Sequence, residues 1–89
     1  MSDRKFPIYC ESISGGSLYC IESDTLMTEY QRIGSKYLVH HLVARILPER
    51  VLISDMVENA DGRWPRISAV DYRERVENWE RTLIRLGAG

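Results

Sequence analysis

The sequence predicts an α+β fold in which an N-terminal β-hairpin precedes four helices, the last of them long and packed across the others. Apolar residues alternate with polar ones around a glycine pair near the N-terminus, which is typical of a hairpin. After Thr25 the apolar residues recur every three to four positions, and glycine or proline separates the helical stretches. With 89 residues, the chain is expected to form a single domain over residues 1–89.

Residues 5–24 predict the hairpin, with the Ser-Gly-Gly-Ser sequence at residues 14–17 as its turn, because adjacent glycines suit two-residue turns that need positive φ. Pairing across this turn sets Cys10 opposite Ile21 and directs the Cys10 and Cys20 sulfurs to opposite faces. Both cysteines are therefore expected to be free thiols. The outer edge of the hairpin is a candidate docking site for another chain.

Residues 25–62 predict three short helices. The first ends at Gly34 and has its apolar residues on one stripe, namely Leu26, Met27, Tyr30 and Ile33. The second covers residues 36–47, and the third covers residues 49–60 after Pro48, which suits the first turn of a helix. A mixed fold is the alternative, because residues 37–47 are rich in branched side chains and could form a strand, as could residues 63–67.

Residues 63–67 predict an extended loop, since Pro65 lacks an amide donor and restricts the residue before it. Residues 68–87 predict the C-terminal helix, with Ser68 as its N-cap and Gly87 as its end. Its apolar stripe repeats at steps of four and three, at Tyr72, Val76, Trp79, Leu83 and Leu86.

The charge balance makes some classes of partner unlikely. Twelve Lys and Arg residues oppose thirteen Asp and Glu residues, so the chain lacks the basic field that nucleic-acid or anionic-membrane binding normally uses. No segment approaches the ~20 apolar residues that span a bilayer, and no export signal is recognisable. We therefore expect a cytoplasmic protein with no membrane contact and no strong affinity for nucleic acid.

Two cysteines and two histidines raise the possibility of a metal site or a thiol nucleophile, and their spacing argues against both. Cys10 and Cys20 are expected on opposite faces of the hairpin, and the adjacent His40 and His41 would point in different directions on a helix. Neither cysteine precedes a helix N-terminus or follows a basic residue that would lower its pKa. No catalytic residue, cofactor or metal is expected.

The clearest candidate for a binding surface is the segment that holds Arg63, Trp64 and Arg66. An aromatic ring between two arginines on a rigid loop is a combination enriched at protein–protein hot spots. Val51 and Ile84 are apolar residues that fall outside the predicted helical stripes, and they could extend this surface if the fold brought them near Trp64.

These patterns favour a small non-enzymatic protein-binding module, such as a regulator, inhibitor or assembly factor that occupies a surface of a partner. The partner is expected to be a larger protein or a second copy, bound through the hairpin edge or the Trp64 region. A nucleic-acid-associated module that uses the arginine-rich C-terminal third is the first alternative. A thiol- or metal-dependent small protein is the second.

Overall fold

The computed structural model describes residues 5–87 and has a five-stranded sheet and two helices. In chain order the elements are β1 (Ile8–Glu11), β2 (Ser17–Ile21), β3 (Leu26–Ile33), β4 (Lys36–Val43), α1 (Leu47–Glu58), α2 (Ala69–Thr82) and β5 (Ile84–Arg85). The strands are arranged in the order β1-β2-β3-β4-β5. Neighbouring strands from β1 to β4 are antiparallel, whereas β5 runs parallel to β4.

The α+β class is right, but the predicted hairpin followed by four helices is wrong. The first two predicted helices are the strands β3 and β4, joined by a two-residue turn at Gly34 and Ser35. Gly34 has a φ of 63°, so the residue expected to end a helix instead allows a tight turn between strands. The strand alternative for residues 37–47 is correct from Tyr37 to Val43.

The predicted hairpin forms with its register shifted by two residues. Cys10 pairs with Tyr19 in place of Ile21, and Tyr9 pairs with Cys20. Because side chains alternate along a strand, a shift of two residues leaves each side chain on its predicted face. Cys10 and Cys20 therefore lie on opposite faces of the sheet, and both are free thiols as predicted.

A longer turn causes this shift. The Ser12 amide donates to the Ser17 carbonyl at 3.0 Å, and the Ser17 amide donates to the Ser12 hydroxyl at 3.0 Å. Four residues lie between these two serines, and of the two glycines only Gly15 has a positive φ, 76°. A two-residue turn with both glycines at positive φ is therefore not formed.

The helix predicted over residues 49–60 is present as α1. Pro48 lies in its first turn, where a missing amide donor removes no helical hydrogen bond. The Glu49 carboxylate accepts hydrogen bonds from the Arg45 and Ile46 amides at 2.9 and 3.3 Å, and these bonds lower the Glu49 pKa. Asn59 ends the helix in the left-handed conformation with a φ of 51°.

The C-terminal helix α2 begins as predicted and ends earlier. The Asp71 amide donates to the Ser68 hydroxyl at 3.0 Å, so Ser68 is the N-cap. The helix ends at Thr82, and not at Leu86. Beyond it the backbone is extended, because β5 pairs with β4 and the Ile84 and Leu86 amides donate to carbonyls of residues 35 and 37.

One helix packs against each face of the sheet, and the two helices contact different sheet residues. Helix α1 packs against one face and forms a core of buried residues, namely Cys10, Ile21, Met27, Ala44, Ile53 and Met56. Helix α2 packs against the other face and forms a second core, namely Leu18, Tyr37, Val76 and Trp79. We call these two faces of the sheet the α1 face and the α2 face.

The segment at residues 65–67 lies along the outer edge of β1. The Glu11 amide donates to the Pro65 carbonyl at 3.0 Å, and the Ile67 amide donates to the Tyr9 carbonyl at 3.1 Å. A β-bridge joins Cys10 to Arg66. The prediction of an extended segment here is confirmed, and its backbone occupies the hairpin edge that we expected to be free. We call this the closed edge.

Neither helix among residues 5–87 has the length and apolar character needed to cross a lipid bilayer.

Candidate binding surface at the edge of β4

The outer edge of β4 is paired only at its beginning. In the β3–β4 ladder the Ala44 amide donates to the Thr25 carbonyl at 2.7 Å, so even-numbered residues of β4 direct their backbone groups toward β3. Odd-numbered residues direct theirs outward, and β5 satisfies the carbonyl of Tyr37. Among residues 5–87, no backbone hydrogen bond reaches the outward groups of Val39, His41 or Val43. We call these three residues the open edge.

The open edge lacks the devices that usually prevent strands from pairing with other chains. Its sequence from residue 39 to residue 43 is Val-His-His-Leu-Val, without proline, lysine or acidic residues. Val43 is 45% exposed, and its cross-strand neighbour Leu26 is 39% exposed. An extended segment placed against β4 would cover both side chains and pair the unsatisfied backbone groups.

A cleft of about 290 Å³ adjoins this edge and is lined by Met27, Glu29, His40, His41, Leu42 and Leu52. Met27, Glu29, His40 and Leu42 come from adjacent positions of β3 and β4 on the α1 face, and Leu52 comes from α1. The lining therefore combines three apolar residues with two histidines and one carboxylate. We call it the β4 cleft.

On the α2 face, two linked side-chain hydrogen bonds hold the His41 ring in place. The Thr28 hydroxyl donates to the Glu22 carboxylate at 2.7 Å and lies 3.1 Å from Nδ1 of His41. Because the only hydroxyl proton of Thr28 is given to Glu22, Nδ1 of His41 must be the donor in the second bond. The ring is thus tied toward β3, away from the outer side of β4.

The two thiols do not meet the histidines in a reactive arrangement. Burial raises the pKa of Cys10 to about 11, although the nearby Arg66 opposes this effect. Burial, followed by the Glu22 charge, raises the pKa of Cys20. Both thiols are therefore kept protonated near neutral pH, which is the opposite of the activation that a nucleophilic cysteine needs.

The histidines and cysteines are also divided between the faces of the sheet. His40 lies on the α1 face with Cys10, and His41 lies on the α2 face with Cys20. Within residues 5–87, no three His, Cys, Asp or Glu side chains cluster in a way that could hold a metal ion.

The arginines that sequence reasoning assigned to partner binding have neighbours within the chain. The Arg66 guanidinium donates to the Met56 carbonyl at 2.9 Å and also to the Val57 carbonyl, in the last turn of α1. It therefore satisfies carbonyls that a helix end leaves without partners. Arg63 lies 3.5 Å from Asp61 in an exposed ion pair.

Trp64 is half-buried and packs against the core on the α1 face. It also lines a hollow of about 150 Å³ together with Asp55, Glu58, Ala60, Asp61 and Arg63. Its amide donates to the side-chain carbonyl of Asn59 at 3.0 Å, which fixes the loop to the end of α1. The ring is thus largely a packing element of the fold.

Of the sequence-predicted apolar residues, Ile84 lies far from Trp64. Val51 is 48% exposed on α1, and Ile84 is 64% exposed in β5. The Trp64 loop runs along the β1 edge, whereas Ile84 lies at the other edge of the five-stranded sheet. At the usual inter-strand spacing these edges are roughly 20 Å apart. The five predicted residues therefore do not form one surface.

No known protein family matches the chain, and neither the curated proteins nor the solved structures give a significant match.

Sequence reasoning missed the open edge because it assigned residues 36–47 to a helix, which has no edge. A signal for it was present. If residues 37–47 are read as a strand, its odd-numbered positions Val39, His41 and Val43 share one face. None of residues 39–43 is of a type that normally protects a sheet edge. What the sequence could not indicate is that β5 covers only the first part of this strand.

Proposed function

We propose that this protein is a small non-enzymatic protein-binding module, acting as a regulator, inhibitor or assembly factor, that binds an extended segment of another polypeptide as an added strand at the open edge of β4. The observation that supports it is the set of outward backbone groups of Val39, His41 and Val43 that have no partner among residues 5–87. Unpaired strand edges bind polypeptide through main-chain hydrogen bonds, and neighbouring pockets select side chains.

The β4 cleft supports the same proposal. An added strand would place alternate side chains above the cleft, next to His40 and Leu42 on the α1 face. Apolar side chains of the partner could contact Met27 and Leu52, and a basic side chain could reach Glu29. The backbone edge would supply affinity, and the cleft would supply the preference for particular segments.

The alternatives have less support. The arginine-rich C-terminal third is a weaker basis for nucleic-acid binding, because Arg66 caps α1, Arg63 pairs with Asp61, and Arg75 lies 3.1 Å from Glu11. A thiol-dependent activity would require an activated cysteine, whereas burial raises the pKa values of both thiols. The proposed compartment is the reducing cytoplasm, which suits two free thiols.

The experiment compares what the wild-type chain and a His41→Pro variant retain from a native lysate. Proline removes the outward amide and places its ring where an added strand would lie, and edge positions tolerate it because their amides face solvent. Circular dichroism must first show that the variant is folded. Arg63→Ala is the matched control, since Arg63 belongs to the sequence-predicted surface and not to the open edge.

The proposal requires a polypeptide that is retained by the wild-type chain and the Arg63→Ala variant and is lost with His41→Pro. Binding of this polypeptide must also slow hydrogen exchange at the amides of Val39 and Val43, which point outward. Equal retention by wild type and His41→Pro, with unchanged exchange at both amides, would show that the open edge is not the binding surface.

A further inference from the structure

We infer that the extended segment bound at the open edge is β4 of a second copy, so that two chains form a two-fold symmetric dimer with a continuous sheet. This inference rests on the proposed function and names its partner. In the dimer the two β4 strands are antiparallel, and His41 of one copy faces His41 of the other.

The limits of the open edge determine this register. At one end, the Leu86 amide already occupies the Tyr37 carbonyl. At the other end, β4 stops at Val43, and the amide of Arg45 already donates to the Glu49 carboxylate at 2.9 Å. The midpoint between these limits is His41. An antiparallel two-fold pairing of two equal segments must be centred there if every outward group is to find a partner.

Centring at His41 pairs Val39 of each copy with Val43 of the other. The outward N–H and C=O groups of the three edge residues then form about six backbone hydrogen bonds across the interface. No other register satisfies all of these groups without meeting β5 or running past the end of the strand. The open edge is therefore complementary to itself.

The side chains around this register are also compatible with a second copy. On the α2 face, one row of side chains crosses the interface. It consists of Leu26 and Val43 of one copy, followed by Val39 and Tyr30 of the second copy. This row would cover Val43, which is 45% exposed, and Leu26, which is 39% exposed. The segment from residue 39 to residue 43 contains no Asp, Glu, Lys or Arg, so no like charges of these types oppose each other.

The position of the His41 ring leaves room for the second strand. Its bond to the Thr28 hydroxyl ties it toward β3, on the side away from the interface. Two rings held in this way lie on the same face of the joined sheet, each above its own chain, and leave the backbone between them accessible.

The first experiment measures mass against concentration by sedimentation equilibrium for wild type, Val43→Lys and Val51→Lys. Val43 is 45% exposed on the open edge, and Val51 is 48% exposed on α1, so the two substitutions are matched in burial. We expect wild type and Val51→Lys to reach twice the 10.3 kDa chain mass. For Val43→Lys we expect the dissociation constant to rise about tenfold or more, because the change occurs twice per dimer.

The second experiment tests the register by disulfide cross-linking in a Cys20→Ser background, since Cys10 is fully buried and Cys20 is not. Facing residues at the two-fold axis of an antiparallel pair have Cα atoms about 5.5 Å apart, within disulfide range. Mild oxidation should therefore cross-link the His41→Cys variant. It should leave the Val43→Cys variant uncross-linked, because two copies of residue 43 are separated by about four residues along the strands.

A wild-type chain that stays monomeric at millimolar concentration overturns the dimer, and so does a Val43→Lys variant that dimerises as strongly as Val51→Lys. Cross-linking at residue 43 in place of residue 41 overturns the register. If the chain is monomeric but a different polypeptide protects the Val39 and Val43 amides, the dimer is wrong and the proposed function stands. If no polypeptide protects them, both fail.

Discussion

The two edges of the sheet differ in how their backbone groups are satisfied. At the closed edge, the segment at residues 65–67 bonds to the outward groups of Tyr9 and Glu11, and Arg66 ties that segment to the end of α1. At the open edge, β5 pairs with only two residues of β4. Natural proteins usually protect sheet edges. We propose that another chain protects the remainder of β4.

The closed edge should open only rarely, and the reactivity of Cys10 in β1 compared with that of Cys20 in the inner strand β2 provides a test of this. Cys10 is 0% exposed in β1, and burial raises its pKa to about 11. At pH 8 the fraction of Cys10 present as thiolate is then on the order of 10⁻³. A thiol reagent can reach the Cys10 sulfur only when the closed edge opens. We expect iodoacetamide to modify Cys10 at least about 100-fold more slowly than half-buried Cys20, as measured by peptide mass spectrometry.

Similar rates at the two cysteines in the folded chain would contradict this account of the closed edge. The control is the same labelling in denaturant, where the difference should disappear.

Arg66→Ala tests what holds the closed edge in place. The substitution removes the guanidinium bonds to the Met56 and Val57 carbonyls at the C-terminal end of α1. Hydrogen bonds from charged donors contribute about 1.5–3 kcal/mol each when buried, and this group is partly solvated. We expect a loss of about 2 kcal/mol in the free energy of unfolding, measured by urea denaturation, and faster labelling of Cys10.

Arg63→Ala is the matched control for Arg66→Ala, because its exposed pair with Asp61 should contribute less than about 1 kcal/mol. Equal destabilisation by the two substitutions would mean that Arg66 has no special role at the closed edge.

A variant that ends at Leu83 tests whether β5 protects the first part of the β4 edge. It removes the Ile84 and Leu86 amides, which donate to the Ser35 and Tyr37 carbonyls at 3.0 and 2.8 Å. Two lost backbone hydrogen bonds predict a destabilisation of about 1–2 kcal/mol. The open edge would also lengthen by one outward residue, so we expect stronger self-association in sedimentation. Unchanged stability and association would show that β5 does not protect the edge.

Thr28→Val is expected to have the smallest effect. It removes the hydroxyl that links Glu22 to His41, and both of those side chains are exposed enough to bind water instead. We expect a loss of about 1 kcal/mol or less. Imidazole ¹⁵N shifts should change from the Nδ1–H tautomer of His41 in wild type to mainly Nε2–H in the variant. An Nε2–H tautomer in wild type would contradict the assigned bond direction.

The parts of the fold that could be predicted from the sequence depend on local signals. Ser68 caps α2 through its own hydroxyl, and Pro48 lies in the first turn of α1. The glycine pair marks a turn, although the turn has four residues between Ser12 and Ser17 and not two. Such signals involve residues a few positions apart, so they do not require knowledge of the tertiary structure.

The strands β3 and β4 could not be recognised because helices cover both faces of the sheet. Met27 and Leu42 face the core near α1, whereas Tyr30 and Val39 face the core near α2. A strand buried on both sides loses strict alternation, and its apolar spacing then resembles that of a helix. The end of α2 could not be placed for a related reason, since Leu83 and Leu86 fit a helical stripe and only pairing with β4 makes the backbone extended beyond Thr82.

The candidate site was missed because sequence reasoning selected conspicuous side chains, while the surface proposed here is made of backbone groups. Arg66 and Trp64 form a combination typical of binding sites, but the fold uses them to fasten the closed edge. Unsatisfied amides become visible only when the neighbours of a strand are known.

Amide hydrogen exchange on the dilute, monomeric chain tests most directly whether one edge is closed and the other open. The Glu11 and Ile67 amides bond across the closed edge, and those of Val39, His41 and Val43 point outward from β4. We expect strong protection of the first two amides and exchange within about tenfold of unstructured rates for the other three. Equal protection of both sets under these conditions would contradict this expectation.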